Sequence, residues 1–351
     1  MRLLKTSAIA IAIMFLAAGC AGTAAAAPDG AASSLKLGYF ANVTHAPALV
    51  ALQKGFFATE LGSTKLDTEV FNAGPTTIEA LNSGAVDAAY LGPSPAINSY
   101  LKSAGASLRV VSGAAFGGAE LVVRDGITTP AQLKGATLAT PQLGNTQDVA
   151  LRSWLKTQGL SSSATGGGDV AITPTDNPQT LALFASGKID GAWVPEPWAS
   201  RLVLDEGAHV LIDEASLWPG GKFATTELVV NTAYLKAHPD TVAALVKANL
   251  EAVNWLNANP ADAAGVINAQ LTKDAGKPLS NAVITRALRF VHFSVDPLAG
   301  TAVTLNQHAV AAGTGTAGSL KGLFDLRLLN AALGASGAAA VSSDGLGVPS
   351  P

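Results

Sequence analysis

Two stretches of this chain decide its fold, because the second repeats the first 103 positions later: PTTIEALNSGAVDAAY at residues 75–90 and PQTLALFASGKIDGAW at residues 178–193. Proline, threonine, Ser-Gly, aspartate and alanine recur in register. Each copy predicts a helix that opens at its proline, stops at its glycine and leads into a short buried strand. Asp87 and Asp190 end these turns and are expected to hydrogen-bond local backbone. An arrangement encoded twice predicts two similar α/β lobes.

The flanking sequence extends this prediction. Short apolar runs alternate with helical stretches, at residues 35–39, 86–91, 108–111, 137–140 and 189–194. That alternation indicates mostly parallel sheets with helices on both faces. Residues 120–124 and 227–231 are candidate hinge strands, and 239–333 is mostly helical. The predicted boundaries are residues 35–122 with 226–333 for lobe I, and residues 123–225 for lobe II.

Composition excludes several classes of function. The chain has 351 residues, enough for two lobes, and a formal net charge of −3, which argues against nucleic acid as a partner. Cys20 is its only cysteine and its five histidines are scattered, so no metal site and no cofactor are predicted. We also find no nucleophile–base pair, so catalytic residues are not expected.

The N-terminus predicts export. Arg2 and Lys5 precede an apolar run at residues 9–18, and small residues stand directly before Cys20. This pattern resembles the bacterial lipoprotein signal. It implies that residues 1–19 are removed, that Cys20 is lipidated and that residues 20–34 form a flexible tether to the membrane. The alternative is an ordinary secretory signal cut near residues 24–27. The tail at residues 334–351 is predicted to be disordered.

Six motifs carry a resemblance to a known family: LGY (37–39), QKGFF (53–57), GP with SGAVD (74–75 and 83–87), LKGATLA (133–139), SGKIDGA (186–192) and EPW (196–198). They resemble the substrate-binding proteins of ABC importers for aliphatic sulfonates, taurine, nitrate and related small anions. The resemblance implies the type II periplasmic-binding-protein fold, in which two Rossmann-like lobes are joined by a two-strand hinge. It further implies a monomer that delivers a solute to a permease and its ATPase.

In open α/β sheets a ligand lies beyond the carboxyl ends of the strands, where helix N-termini attract anions. We therefore expect the ligand-binding residues in the loops that follow the strands. The candidates are Asn42, Thr44, His45, Gly74, Pro75, Thr76, Gly92, Ser94, Gly118, Glu120, Asn145, Thr146, Gln147, Trp193, Glu196, Trp198, Thr226 and Glu227.

Several candidates keep a second interpretation. His45 either donates to an anion or only caps a helix, and Ser94 either binds the ligand through its hydroxyl or belongs to a plain turn. By the resemblance, Glu196 suits a ligand ammonium, while Trp193 and Trp198 supply an apolar wall. Gly118, Glu120, Thr226 and Glu227 would close the site from behind, although either glutamate is equally expected to pair with a surface lysine.

No arginine falls in these loops, which suits a sulfonate or another weakly basic oxyanion better than a carboxylate. The leading hypothesis is capture of a small organosulfonate, anionic or zwitterionic, outside the cytoplasm by a lipid-anchored receptor. Nitrate and a heterocyclic, pyrimidine-like or flavin-like ligand are the alternatives for the same receptor. Two alternatives change the class of protein: an enzyme on the same fold, using His45, Glu196 and the two repeat aspartates, and a signalling or scaffold lipoprotein that passes no ligand to a transporter.

Overall fold

The computed structural model describes residues 30–349. Its strands are β1 (Ser34–Phe40), β2 (Lys65–Phe71), β3 (Ala88–Leu91), β4 (Leu108–Gly117), β5 (Ala119–Val123), β6 (Thr137–Thr140), β7 (Ala171–Pro174), β8 (Gly191–Pro195), β9 (His209–Asp213), β10 (Ala224–Asn231) and β11 (Val291–Phe293). Its helices are α1 (Ala46–Lys54), α2 (Phe56–Leu61), α3 (Gly74–Ser83), α4 (Pro93–Lys102), α5 (Thr146–Thr157), α6 (Asn177–Ala185), α7 (Trp198–Asp205), α8 (Thr232–Ala237), α9 (Pro239–Ala258), α10 (Pro260–Ala275), α11 (Asn281–Phe290), α12 (Thr301–Ala311) and α13 (Arg327–Ala335).

The strands form two sheets of matching design. The first has the order β2-β1-β3-β10-β4-β11 and the second the order β7-β6-β8-β5-β9. In each sheet the first three strands are parallel, and the next strand, β10 or β5, runs antiparallel to them. The predicted pair of α/β lobes is thereby confirmed.

The sequence repeat corresponds to a repeat in structure. The helices α3 and α6 start 103 positions apart, as do β3 and β8. Gly84 ends α3 with a φ of 77°, a left-handed conformation that glycine adopts without steric cost. In each half an aspartate ties two neighbouring parallel strands together. Asp87, just before β3, accepts at Oδ2 from Lys36 N of β1 at 2.8 Å, and Asp190, just before β8, accepts at Oδ2 from Thr137 N of β6 at 2.8 Å.

Each sheet has its own apolar core. The core of the first sheet is shared with α1, α4 and α9, and includes the buried Tyr39, Leu49, Tyr90 and Leu245. The second sheet has a cluster around Trp154 and Trp193 on one face, and another around Phe184 and Leu202 on the other. Within residues 30–349, no helix combines the length and the apolar character needed to cross a membrane.

The chain passes between the sheets at two adjacent places. The first crossing is Gly118, which lies between β4 of the first sheet and β5 of the second, and the second crossing is the segment 214–223. The two crossings are tied together, because Gly117 N donates to Phe223 O at 3.2 Å and Thr225 Oγ1 donates to Gly117 O at 2.5 Å. The predicted start of lobe II at residue 123 is therefore wrong by one strand, and β5 and β10 each belong wholly to one sheet.

Two terminal predictions also need correction. The tail at 334–349 is ordered: Asn330 exchanges two hydrogen bonds with Val341, and Val348 N donates to Phe324 O at 2.9 Å. Residues 30–34 of the predicted tether are held by α9, since Ala32 N donates to Thr241 Oγ1 at 2.7 Å. Apolar and small residues alone did not reveal these polar contacts. The predicted signal peptide, Cys20 and the rest of the tether lie outside the described residues.

Candidate functional site

A small cavity lies between the two halves, at the carboxyl ends of their parallel strands. It has a volume of about 20 Å³, which is room for about one water molecule. Seven of its lining residues were predicted from the sequence: Asn42, Thr44, His45, Gly92, Asn145, Thr146 and Gln147. The other five are Phe40, Asn72, Asn177, Pro195 and Thr225. No lining residue carries a permanent charge.

Side chains of the second half close this cavity against helix N-termini of the first. Gly74 N, at the start of α3, donates to Asn145 Oδ1 at 3.2 Å. Ser94 N, in the first turn of α4, donates to Thr146 Oγ1 at 3.4 Å. On another side Trp198 Nε1 donates to Asn42 Oδ1 at 2.7 Å. A solute larger than water therefore reaches the cavity only when the halves separate.

His45 is a neutral donor in this cavity. Its ring is buried and stacks on Phe40, with ring centroids 4.3 Å apart. Burial lowers the pKa of His45 to about 3, because the charged form loses its hydration. The Phe40 backbone N–H donates to Nδ1 at 3.3 Å, which assigns the ring proton to Nε2. His45 thus offers an N–H to a ligand without adding a charge.

Four buried oxygens near the cavity lack a hydrogen-bond partner among residues 30–349: Ser94 Oγ, Asn177 Oδ1, Thr226 Oγ1 and Glu227 Oε2. Asn177 lines the cavity, and Ser94 and Thr226 are close in sequence to the lining residues Gly92 and Thr225. Buried polar groups in native proteins are nearly always paired, so such orphans need an explanation. A bound polar solute supplies one.

Two of the candidate carboxylates, Glu196 and Glu120, are paired with Arg286. Glu196 Oε1 accepts from Arg286 Nη1 at 2.8 Å and from Ser200 Oγ at 2.9 Å, so this side chain is already paired. Glu120 accepts from Arg286 Nη2 at 2.8 and 3.1 Å. Neither glutamate lines the cavity, and neither pairs with a surface lysine. The expectation that Glu196 faces a ligand ammonium is therefore wrong for this structure.

Glu227 differs from these two glutamates. Its carboxyl is buried without a charged partner, and burial raises its pKa to about 8. It pairs across the sheet with Leu91, the last residue of β3, beside the cavity-lining Gly92. It does not itself line the cavity. Thr226 does not line the cavity either, although its neighbour Thr225 does.

Other predicted residues lie away from the cavity. Trp193 is fully buried against Trp154 and donates from Nε1 to Glu214 Oε2 at 2.8 Å, so the prediction of a ligand-facing wall is wrong for Trp193. Gly118 is the first crossing between the sheets, with a φ of 70°. Pro75 lines an outer groove, and Thr76 Oγ1 donates to Gln142 Oε1 at 3.2 Å near the surface.

A second groove, of about 670 Å³, adjoins the cavity and shares Asn42, Asn72 and Asn177 with it. Trp198, Leu181 and Val283 contribute to its apolar walls. Sequence reasoning missed Asn72 and Asn177, although each follows a strand, β2 or β7, where ligand-facing loops are expected. It also missed Arg286, which lies 90 positions from Glu196 and carries no local signal.

The two-sheet fold with its site between the halves defines a class of protein, and the comparisons agree with it. Residues 29–271 match the model of the NMT1-like family, and the chain belongs to that family. The alkanesulfonate-binding protein SsuA from Xanthomonas axonopodis pv. citri, bound to MOPS, has a similar structure. Its TM-score is 0.69 at 24% identity, over 82% of this chain and 96% of that one. The fold is that of periplasmic binding proteins.

Curated relatives are similar in sequence. The taurine-binding periplasmic protein of Escherichia coli (strain K12) is 30% identical over 215 residues, which is 61% of this chain and 64% of that protein. The putative aliphatic sulfonates-binding protein of Bacillus subtilis (strain 168) is 26% identical over 253 residues, 70% of this chain and 72% of that protein. The match thus covers less than two thirds of the Escherichia coli relative. The family predicted from the six motifs is confirmed.

Proposed function

We propose that this protein is the solute receptor of an ABC importer and that it captures a small oxyanion of the sulfonate class between its two halves. The observation that carries the proposal is the character of the cavity: amide, hydroxyl and neutral imidazole groups converge there, at the N-termini of four helices (α1, α4, α5 and α6), without a cationic side chain. Backbone N–H groups and helix dipoles favour an anion at such a place. Relatives that bind taurine, aliphatic sulfonates and nitrate support the same class of ligand.

Binding on this proposal is coupled to movement of the halves. The solute enters through the adjoining groove while the halves are apart, and the N–H groups of Gly74 and Ser94 exchange their side-chain partners for ligand oxygens. Closure then buries the ligand, and the permease recognises the closed form. No catalytic step is proposed, because the relatives and structural neighbours are named as binding proteins.

The setting of the receptor is also part of the proposal. The apolar leader and Cys20 support export and lipid anchoring on the outer face of the cytoplasmic membrane, with a permease and its ATPase as partners. Metabolic labelling with a radioactive fatty acid, comparing the wild type with Cys20→Ser, tests the anchor. Label that persists in the variant contradicts it.

Isothermal titration calorimetry of the purified protein with ethanesulfonate, nitrate and sulfate tests the ligand class. We expect saturable one-site binding of the sulfonate. Asn145→Asp places a negative charge in the cavity and should weaken binding at least about tenfold. The matched control is Asn254→Asp, the same change on the exposed side of α9, which should leave affinity unchanged. Failure of every anion to bind, or equal effects of the two variants, contradicts the proposal.

A further inference from the structure

Arg286 joins the two halves through a buried cluster of charge. It lies on α11, which follows β10 in the chain, whereas both of its carboxylate partners belong to the second half. Nη2 donates to both oxygens of Glu120, and Nη1 donates to Glu196 Oε1 and to Ser200 Oγ at 3.0 Å. The remaining Glu196 oxygen, Oε2, accepts from Ser200 N at 3.1 Å. Every carboxylate oxygen of the cluster is therefore occupied.

This cluster borders the cavity without opening into it. Glu196 directly follows the cavity-lining Pro195, and its carbonyl oxygen accepts from the backbone N–H of Thr44, another lining residue, at 3.5 Å. The carboxyl group turns away to the guanidinium, and the Glu196 side chain is completely buried. The lining that remains consists of neutral groups. An ammonium in the cavity would lose its hydration and meet no carboxylate, which is costly for a charged group.

We propose that Arg286 determines ligand specificity: by pairing with Glu120 and Glu196 it withholds both carboxylates from the ligand, so that the cavity selects sulfonates without an amine over aminosulfonates. This inference rests on the proposed function and narrows its substrate class. It runs against the taurine ligand of the Escherichia coli relative. Other carboxylates could also meet an ammonium: Asp205, Glu206 and Asp274 line the adjoining groove, and Glu227 is buried beside the cavity-lining Gly92. Glu227 enters the test because it is the buried one.

Calorimetry with two ligands of similar size separates the two proposals. Ethanesulfonate and taurine share the sulfonate and the two-carbon chain, and differ in that taurine adds an ammonium. We expect ethanesulfonate to bind at least about tenfold more tightly than taurine. If neither ligand nor any other anion binds, the proposed function fails. If taurine binds as tightly as ethanesulfonate or more tightly, only the specificity inference is overturned.

Variants assign the effect to Arg286. Arg286→Gln frees the carboxylates and should improve taurine relative to ethanesulfonate at least about tenfold, whereas Arg286→Lys keeps the positive charge and should retain most of the wild-type preference. Removal of one partner from a buried ion pair can prevent folding. The triple variant Arg286→Gln, Glu120→Gln, Glu196→Gln carries no charge in the cluster and guards against that outcome. It should show the wild-type ratio of affinities.

Three results overturn the inference. A triple variant that prefers taurine would exclude the carboxylates as the source of selectivity. An unchanged ratio in a folded Arg286→Gln would exclude the guanidinium. A selective loss of taurine affinity in Glu227→Gln would identify Glu227 as an existing ammonium partner, so that the cavity would not be without one.

Discussion

Closure of the two halves depends on the absence of a side chain at Gly92. The residue adopts φ −72° and ψ 155°, which alanine adopts without strain. A Cβ atom there would lie only 2.4 Å from Thr146 Oγ1 of the other half, with the next contact at 3.4 Å. Gly92→Ala should therefore leave the first half intact and act as a wedge between the halves.

The size of the effect follows from this geometry. Carbon–oxygen contacts approach to about 3.3 Å, so the wedge must move the two atoms apart by about 1 Å. Overpacking of this kind costs about 1–3 kcal/mol, which corresponds to about 5- to 150-fold weaker binding if the ligand requires closure. Rotation of the Thr146 side chain relieves part of the clash and lowers the cost within that range.

A double-mutant cycle measured by calorimetry with ethanesulfonate tests this reasoning. Thr146→Ala removes the clashing hydroxyl, so Gly92→Ala should weaken binding much less in that background than in the wild type. Gly265→Ala on α10 is the matched control, because a Cβ atom there meets nothing within 4 Å. Wild-type affinity in Gly92→Ala, or strictly additive effects in the cycle, would refute closure as the source of affinity.

Two further predictions concern single side chains. Burial raises the pKa of Glu227 from 4.5 to about 8. Between these pH values the folded state holds a proton that the unfolded state has released, so the free energy of unfolding falls as pH rises from about 4.5 to about 8. In urea unfolding, Glu227→Gln should remove about 3 kcal/mol of the decrease in stability between pH 5.5 and 8.5. An unchanged pH dependence of stability in this variant, or an equal change in the exposed control Glu79→Gln, would count against this. Trp198→Phe deletes the hydrogen bond to Asn42 between the halves. In calorimetry it should weaken ligand binding by about 1 kcal/mol, or about fivefold. Trp255→Phe on α9 is the control, and equal losses of affinity in both variants would argue against a specific role for the Trp198–Asn42 contact.

Sequence reasoning succeeded where a local signal exists. Proline and glycine mark the two ends of α3 in the sequence, and the repeat predicts a matching helix, α6, 103 positions later. The loops after β1 and β3, and the turn before α5, were placed in the site because strand ends share one edge of a sheet. Seven cavity-lining residues follow from that rule alone.

The errors have a common physical origin. Trp193 lies in the predicted strand and Glu196 in the loop that follows it. The direction of each side chain depends on its hydrogen-bond partner, which is Glu214 for Trp193 and Arg286 for Glu196. The start of lobe II was misplaced because β5 contains only apolar residues and one glutamate, which fit either sheet. The sequence predicts a disordered tail, but hydrogen bonds from the tail backbone to Phe324 O and to the Asn330 side chain hold it in place, and no pattern within the tail encodes these partners.

The sequence by itself determined the two repeated α/β units, the edge at which their loops gather and the family, since these depend on short-range patterns of proline, glycine and apolar residues. The tertiary structure decided which of the candidate residues line the cavity. It keeps the Glu120 and Glu196 carboxylates out of the lining by pairing them with Arg286, which is 166 and 90 positions away in the sequence. The physical reason is that a buried charge takes whichever partner the packing brings to it, and no local pattern encodes that distance.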